Sequence, residues 1–180
     1  MLKKPQLLLD AVAIVAAFEV HAWDHLVARY RIVVPGIVVD EAHFYDDPAD
    51  GRRHAITLSD YEHAGTIEVC DVSQEDVSAL LRLFDRSFAT RIHAGESEAL
   101  AYLWMQDDDT KIQFVTSDTA ALHATALLGL AHRSVCLGDV LRKSGFEKSL
   151  DSQHETQHHR DCIRKGQEMR VMGVGLARRP

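Results

Sequence analysis

QLLLD at residues 6–10 and IQFVTSD at residues 112–118 decide the fold. Each is a short apolar run with no polar alternation that ends in a polar residue or a carboxylate. Such a run reads as a strand buried on both faces, as in a parallel sheet. Working outward from the first, residues 11–20 and 22–30 carry Ala, Leu and Val at helical spacings, and residues 31–34 return to β-branched side chains before Pro35. Pro35 suits the first turn of a further helix, expected to run through Val38, Val39 and Ala42 to about Tyr45. Around the second run, Ser117 or Asp118 caps a helix over residues 119–128 that Gly129 ends. A short strand over 134–136 and a helix over Leu137–Lys143 follow.

Between these flanks, DDPADGRR at 46–53 gathers Pro, Gly and charge, and reads as a loop. Residues 55–58 and 66–69 read as short strands joined by a turn at 63–65. Ser73 with Asp76 approximates a capping box for a helix over 73–88. Gly95 opens a helix over 96–105, and the carboxylates at 107–109 read as a solvated loop. Strand and helix thus alternate from Gln6 to Lys143. That alternation predicts an α/β fold with a central parallel sheet and helices on both faces, three layers in all, over residues 1–145. Residues 146–180 are expected to add a helical extension with a basic tail.

The 180-residue chain is 46% apolar and 26% charged, which excludes disordered, collagen-like and membrane-spanning classes. Asp10 interrupts the apolar N-terminal stretch that imitates a secretory signal. Three cysteines without a CxxC pair argue for a reducing compartment, and the cytoplasm is the expected location. Residues 160–180 hold six basic side chains (Arg160, Arg164, Lys165, Arg170, Arg178 and Arg179) against Asp161 and Glu168, so the preceding 159 residues carry a net charge of −11. An acidic body repels polyphosphate, and contact with nucleic acid then needs local patches or bound cations. The plain alternative for the tail is a solvated terminus.

In an open parallel sheet, active groups gather beyond the carboxyl ends of strands, where chain direction reverses between neighbours. Asp10 and Asp118 sit at such ends, although Asp118 also serves as an N-cap. On a helix continuing to Tyr45, Glu41 falls beside the apolar stripe, where an ionised carboxylate needs a partner, unless it reaches water at the stripe's edge. GESEAL at 95–100 adds Glu96 and Glu98, turned about two hundred degrees apart round the helix axis. Such an acidic set would self-repel unless divalent cations neutralised it, and oxygen-only ligands select Mg²⁺ or Mn²⁺.

LLLD at 7–10, VVPGIVVDEA at 33–42, AGESEALAYL at 94–103 and VTSDTAALHATALLGL at 115–130 resemble, in order and spacing, the PIN-domain family, and in particular its GExEA-type branch of predicted nucleic-acid-binding proteins. The resemblance covers about residues 7–141. It implies a three-layer domain whose carboxylates bind Mg²⁺ or Mn²⁺ and hydrolyse RNA, single-stranded or structured, often as the toxin partner of an antitoxin protein. It also makes a homodimer an expected assembly. Asp10, Glu41, Glu98 and Asp118 match the family's acidic quartet, with Glu96 the other acid of the GExEA variant. The resemblance gives metal-ligand roles to Asp10, Glu96, Glu98 and Asp118, and to Glu41 the orienting of a ligand or of the attacking water. Ala11 and Val12 depart from the pattern, since family members often place a hydroxyl or amide residue after the first Asp. The alternative from another class is therefore a catalytically weak PIN-like module that binds nucleic acid or protein. Separately, His154, His158 and Cys162, spaced by four with His159 adjacent, are expected to share a helical face, either as a zinc site or as an ordinary polar surface.

Overall fold

Gln6–Leu9 and Ile112–Val115 lie side by side as neighbouring parallel strands, with Gln6 opposite Ile112 and Leu9 opposite Val115. The computed structural model describes residues 4–107 and 110–177. Among them the chain runs β1 (Gln6–Leu9), α1 (Ala11–Glu19), α2 (Trp23–Arg29), β2 (Arg31–Pro35), α3 (Gly36–Glu41), β3 (Phe44–Asp47), β4 (Arg52–Ala55), α4 (Leu58–His63), β5 (Ile67–Cys70), α5 (Gln74–Leu81), α6 (Arg86–Ala89), α7 (Ala94–Met105), β6 (Ile112–Val115), α8 (Thr119–Leu127), β7 (Ser134–Val135), α9 (Leu137–Lys143) and α10 (Thr156–Met172). Short 3-10 turns lie at Ala131–Arg133 and Ser152–His154.

Five strands form one parallel sheet in the order β5-β2-β1-β6-β7. From β1 the chain winds outward through β2 to β5, then returns to the other side of β1 and winds outward through β6 to β7. The direction of winding therefore reverses between β1 and β6, which makes their carboxyl ends the switch point of the sheet. Successive side chains along each strand alternate between two cores. Leu7, Leu9, Ile32, Val34 and Val115 pack with Ile14, Trp23 and Leu26 of α1 and α2 and with Leu137 and Leu141 of α9. Leu8, Val33, Ile112 and Phe114 pack on the opposite face with Leu80 of α5, Leu100 and Leu103 of α7, and Leu127 of α8. Burial of each such side chain contributes about 1.5–3 kcal/mol, and the two covered faces explain why the strands are apolar throughout. The expected three-layer α/β/α arrangement is present.

Several local expectations are corrected. The helix starting at Gly36 ends at Glu41 and does not reach Tyr45. Residues 44–55, read partly as loop, form the antiparallel hairpin β3–β4. Asp46 and Arg53, opposite each other across the ladder, are ion-paired at 2.9 Å, and the Tyr45 ring packs 5.4 Å from that of Phe18 on α1. The charges that suggested a loop are cross-strand partners, and the aromatic ring that suggested a helix stripe anchors a strand. Leu58 opens a helix, α4, rather than closing a strand. The single helix expected over 73–88 breaks after Leu81, because the Asp85 carboxylate accepts from Phe88 N at 2.8 Å to start α6 and from Gly175 N at 3.1 Å.

The helix α10 lies against α8 so closely that a Cβ on Gly166 would meet Ala126 Cβ at 2.7 Å. Arg170 donates to Leu127 O at the end of α8 at 3.0 Å. Part of the basic excess is thereby committed: Arg164 pairs with Asp161 and Lys165 with Glu168. Arg178 and Arg179, and the acidic loop at 108–109, lie outside the described residues. Among the described residues no single helix is long and apolar enough to cross a membrane. The α1–α2 pair passes that test jointly, but bends by 115° and contributes Ile14, Ala17, Trp23 and Leu26 to the core.

Candidate active site

At the switch point, Asp10 follows β1 and caps α1, its Oδ1 accepting from Ala13 N at 2.7 Å. Its other oxygen accepts from the Thr116 hydroxyl, which follows β6. The same hydroxyl oxygen accepts from Asp118 N at 3.0 Å, and Asp118 caps α8 through Ala121 N at 2.8 Å. One threonine thus ties together the two aspartates that end neighbouring strands. Asp10 is 3% exposed, and burial, reinforced by the nearby charges of Asp118 and Glu41, pushes its carboxyl up to about 6 despite the two hydrogen bonds that favour the anion.

The helix α7 brings its first turn to the same place. Glu96 accepts from His93 N at 2.9 Å as the far half of a capping box. Desolvation raises its carboxyl to about 7, with Asp118 and Asp10 adding repulsion and the His93 contacts opposing. Gly95 allows α7 to approach α3: a Cβ there would lie 2.6 Å from Glu41 Oε2 and 3.0 Å from Val38 Cγ2. Asp10, Glu41 and Glu96, with Ala11, Val12 and His93, line a cavity of about 210 Å³. At a water's share of liquid volume, about 30 Å³, it has room for a hydrated ion. Glu41 is exposed at the end of α3, so the expectation that it lies against an apolar stripe is corrected, because the stripe ends with the helix.

Glu98 is turned the other way. It is 5% exposed, and its Oε2 accepts from Ile37 N at 2.9 Å in the first turn of α3. It faces a separate cleft of about 680 Å³ lined by Gly36, Asp40, Asp71 and Ser73 among others. The structure therefore brings Asp10, Glu41, Glu96 and Asp118 into one neighbourhood and sets Glu98 outside it. Thr116 was missed by sequence reasoning. The signal available was a hydroxyl directly after an apolar strand and two residues before a helix-capping aspartate.

Raised carboxyl groups sharing a cavity are the electrostatic condition that a divalent cation relieves, and the all-oxygen donor set fits Mg²⁺ or Mn²⁺. Among the described residues, the one trio of His, Cys, Asp or Glu whose ligand atoms all lie within 4.8 Å of each other is Asp47, Asp50 and His54, elsewhere in the molecule.

The C-terminal histidines do not share one helix. His154 lies buried in the 3-10 turn before α10, because Glu155 is extended, whereas His158 and Cys162 are neighbours on α10 with Sγ 3.6 Å from Nε2. His158 Nε2 lies 3.0 Å from Ser117 O, and His159 Nε2 lies 3.0 Å from Ser134 Oγ. These contacts make the histidines part of the packing between α10 and the sheet. No protein-family model matches the chain, and a search of curated proteins finds no match.

Proposed function

We propose that the chain is a PIN-type ribonuclease of the cytoplasm, dependent on Mg²⁺ or Mn²⁺. The observation that carries this reading is the tie through Thr116 between Asp118 and Asp10 at the switch point, where Asp10 lines one cavity with Glu96 and Glu41 and the Asp118 charge acts on Asp10 and Glu96. An RNA phosphodiester is anionic and would be repelled by these carboxylates, so binding needs a cation between them. Asp10, Glu96 and Asp118 would hold it. When bound, such an ion polarises a phosphate oxygen and lowers the pKa of a water. Asp10 is fixed in direction by Ala13 N and Thr116, and Asp118 by Ala121 N, so neither has to reorganise on binding. Glu41, exposed on the opposite wall, would orient the attacking water by accepting its proton-bearing hydrogen bond. Glu98, which the family resemblance includes in the quartet, is assigned a supporting role at the start of α3. Three buried free cysteines agree with a reducing compartment.

Incubating the purified chain with labelled single-stranded RNA, with Mn²⁺ or with chelator, tests the reading. Cleavage is expected with Mn²⁺ only. Cleavage that survives chelation or Asp10→Asn overturns the metal mechanism. A second reading, the catalytically weak binding module, is favoured by Ala11 and Val12, which give the cavity an apolar wall. It predicts RNA or protein binding without cleavage. An antitoxin protein and a second copy of the chain are the protein partners that accompany either reading.

A further inference from the structure

The turn of the β3–β4 hairpin gathers metal-ligating side chains far from the cavity described above. In an antiparallel ladder, residues opposite one another point to the same face. Tyr45 stands opposite His54 and Asp47 opposite Arg52, so Tyr45, Asp47 and His54 share the face on which Tyr45 packs against Phe18 of α1. Ligand atoms of Asp47, Asp50 and His54 lie within 4.8 Å of one another. His54 Nε2 is 2.9 Å from Asp50 Oδ2. From the corner between α1 and α2, His21 reaches in with its Nε2 3.3 Å from Asp47 Oδ1.

We propose that Asp47, Asp50 and His54 form a site for a transition-metal dication, Zn²⁺ in preference to Mg²⁺, with His21 bracing the Asp47 carboxylate from the α1–α2 corner. An imidazole nitrogen among carboxylate oxygens suits zinc, whereas Mg²⁺ takes oxygen ligands. A tetrahedral ion with ligands at about 2.0–2.1 Å holds neighbouring ligand atoms about 3.3 Å apart. Asp50 Oδ2 and His54 Nε2, 2.9 Å apart, lie a little inside that spacing before any ion is considered. Both carboxylates are already aimed by the backbone of the turn: Asp47 Oδ1 accepts from Ala49 N and Asp50 Oδ1 from Arg52 N, each at 2.8 Å, which leaves Asp50 Oδ2 toward His54. Such supporting hydrogen bonds are what orient ligands in metal sites. Asp47 is 8% exposed, so its charge is largely withdrawn from water. Separate His–Asp pairs would account for each contact singly. They do not account for one turn holding three ligand atoms within 4.8 Å of one another, the most buried of them on Asp47 and braced by His21.

The site stands independently of the ribonuclease reading, and its test is a zinc titration of the metal-free full chain by calorimetry, in excess Mg²⁺ to occupy all-oxygen sites. One equivalent of Zn²⁺ is expected to bind and to raise Tm. His21→Gln and His54→Gln, each introduced singly at a side chain that is at least partly solvent-accessible, are expected to weaken binding at least about tenfold. Asp10→Asn should leave zinc affinity unchanged. With Co²⁺ in place of Zn²⁺, a visible absorption band lost in the His54 variant would report nitrogen ligation. The proposal is overturned by no zinc binding, by affinity unchanged in both histidine variants, or by loss of zinc in Cys162→Ser, which would put the ion on α10.

Discussion

Glu96 and Glu98 stand two residues apart on α7, yet they serve opposite sides of it. Glu96 looks into the small cavity beside Asp10, where its neighbours are other carboxylates. Glu98 looks into the larger cleft, where a backbone N–H of α3 meets it. Both side chains are substantially withdrawn from water, and each accepts one backbone N–H, Glu96 from His93 and Glu98 from Ile37. The difference lies in the place each bond holds: Glu98 braces the first turn of α3, whereas Glu96 shares a small cavity with Asp10 and Glu41, whose like charges favour an external cation.

The sharpest break of this comparison is catalytic. Asp10→Asn is expected to lower RNA cleavage by about a thousandfold, several kcal/mol of lost stabilisation, while Glu98→Gln stays within about threefold of wild type. Equal losses in steady-state cleavage assays would put both glutamates in one site and end the distinction. Thr116→Val removes the hydroxyl that serves Asp10 and Asp118 together. A loss of about 10–100-fold is expected, as for other groups that orient metal ligands, with Mn²⁺ affinity read by calorimetry falling in parallel. Glu98→Ala should leave Ile37 N without its acceptor at a part-buried helix start. A destabilisation of about 1–3 kcal/mol in urea unfolding, with cleavage little changed in the folded fraction, is expected.

The smallest effect concerns pH. Asp10 at about 6 and Glu96 at about 7 lie above their ordinary values of 3.8 and 4.5. Between roughly pH 4 and 7 the folded chain therefore binds more protons than the unfolded chain, and the stability of metal-free protein falls as pH rises through that window. Thermal melts should show a higher Tm at pH 5 than at pH 8, with added Mn²⁺ recovering the difference at pH 8 and doing little at pH 5. A metal-free Tm that rises across the window would show that the cavity carboxylates are not mutually destabilised.

Strands followed within three residues by aspartate were legible because burial on both faces leaves an apolar run and the switch point fixes where it ends. Asp10 and Asp118 were found for that reason. The hairpin was not legible: Tyr45 fits a helical stripe as well as a strand, and the Asp46–Arg53 charges read as solvent-exposed loop until the ladder sets them opposite each other. The break at Asp85 has a local sign, an aspartate that caps Phe88 N three residues on, but it lies inside an apolar stripe that reads as continuous, and its bond from Gly175, ninety residues away, has no local sign.

By itself the chain's order of residues determined the alternation of strands and helices, the two buried cores and the presence of acids at strand ends, because these follow from local hydrophobic period and capping. Only the tertiary structure decided which acids meet. The direction of Glu96 against Glu98, the bridging hydroxyl of Thr116 and the convergence of His21 on the hairpin turn all depend on how elements distant along the chain are packed, and hydrophobic pattern carries no information about that for polar groups.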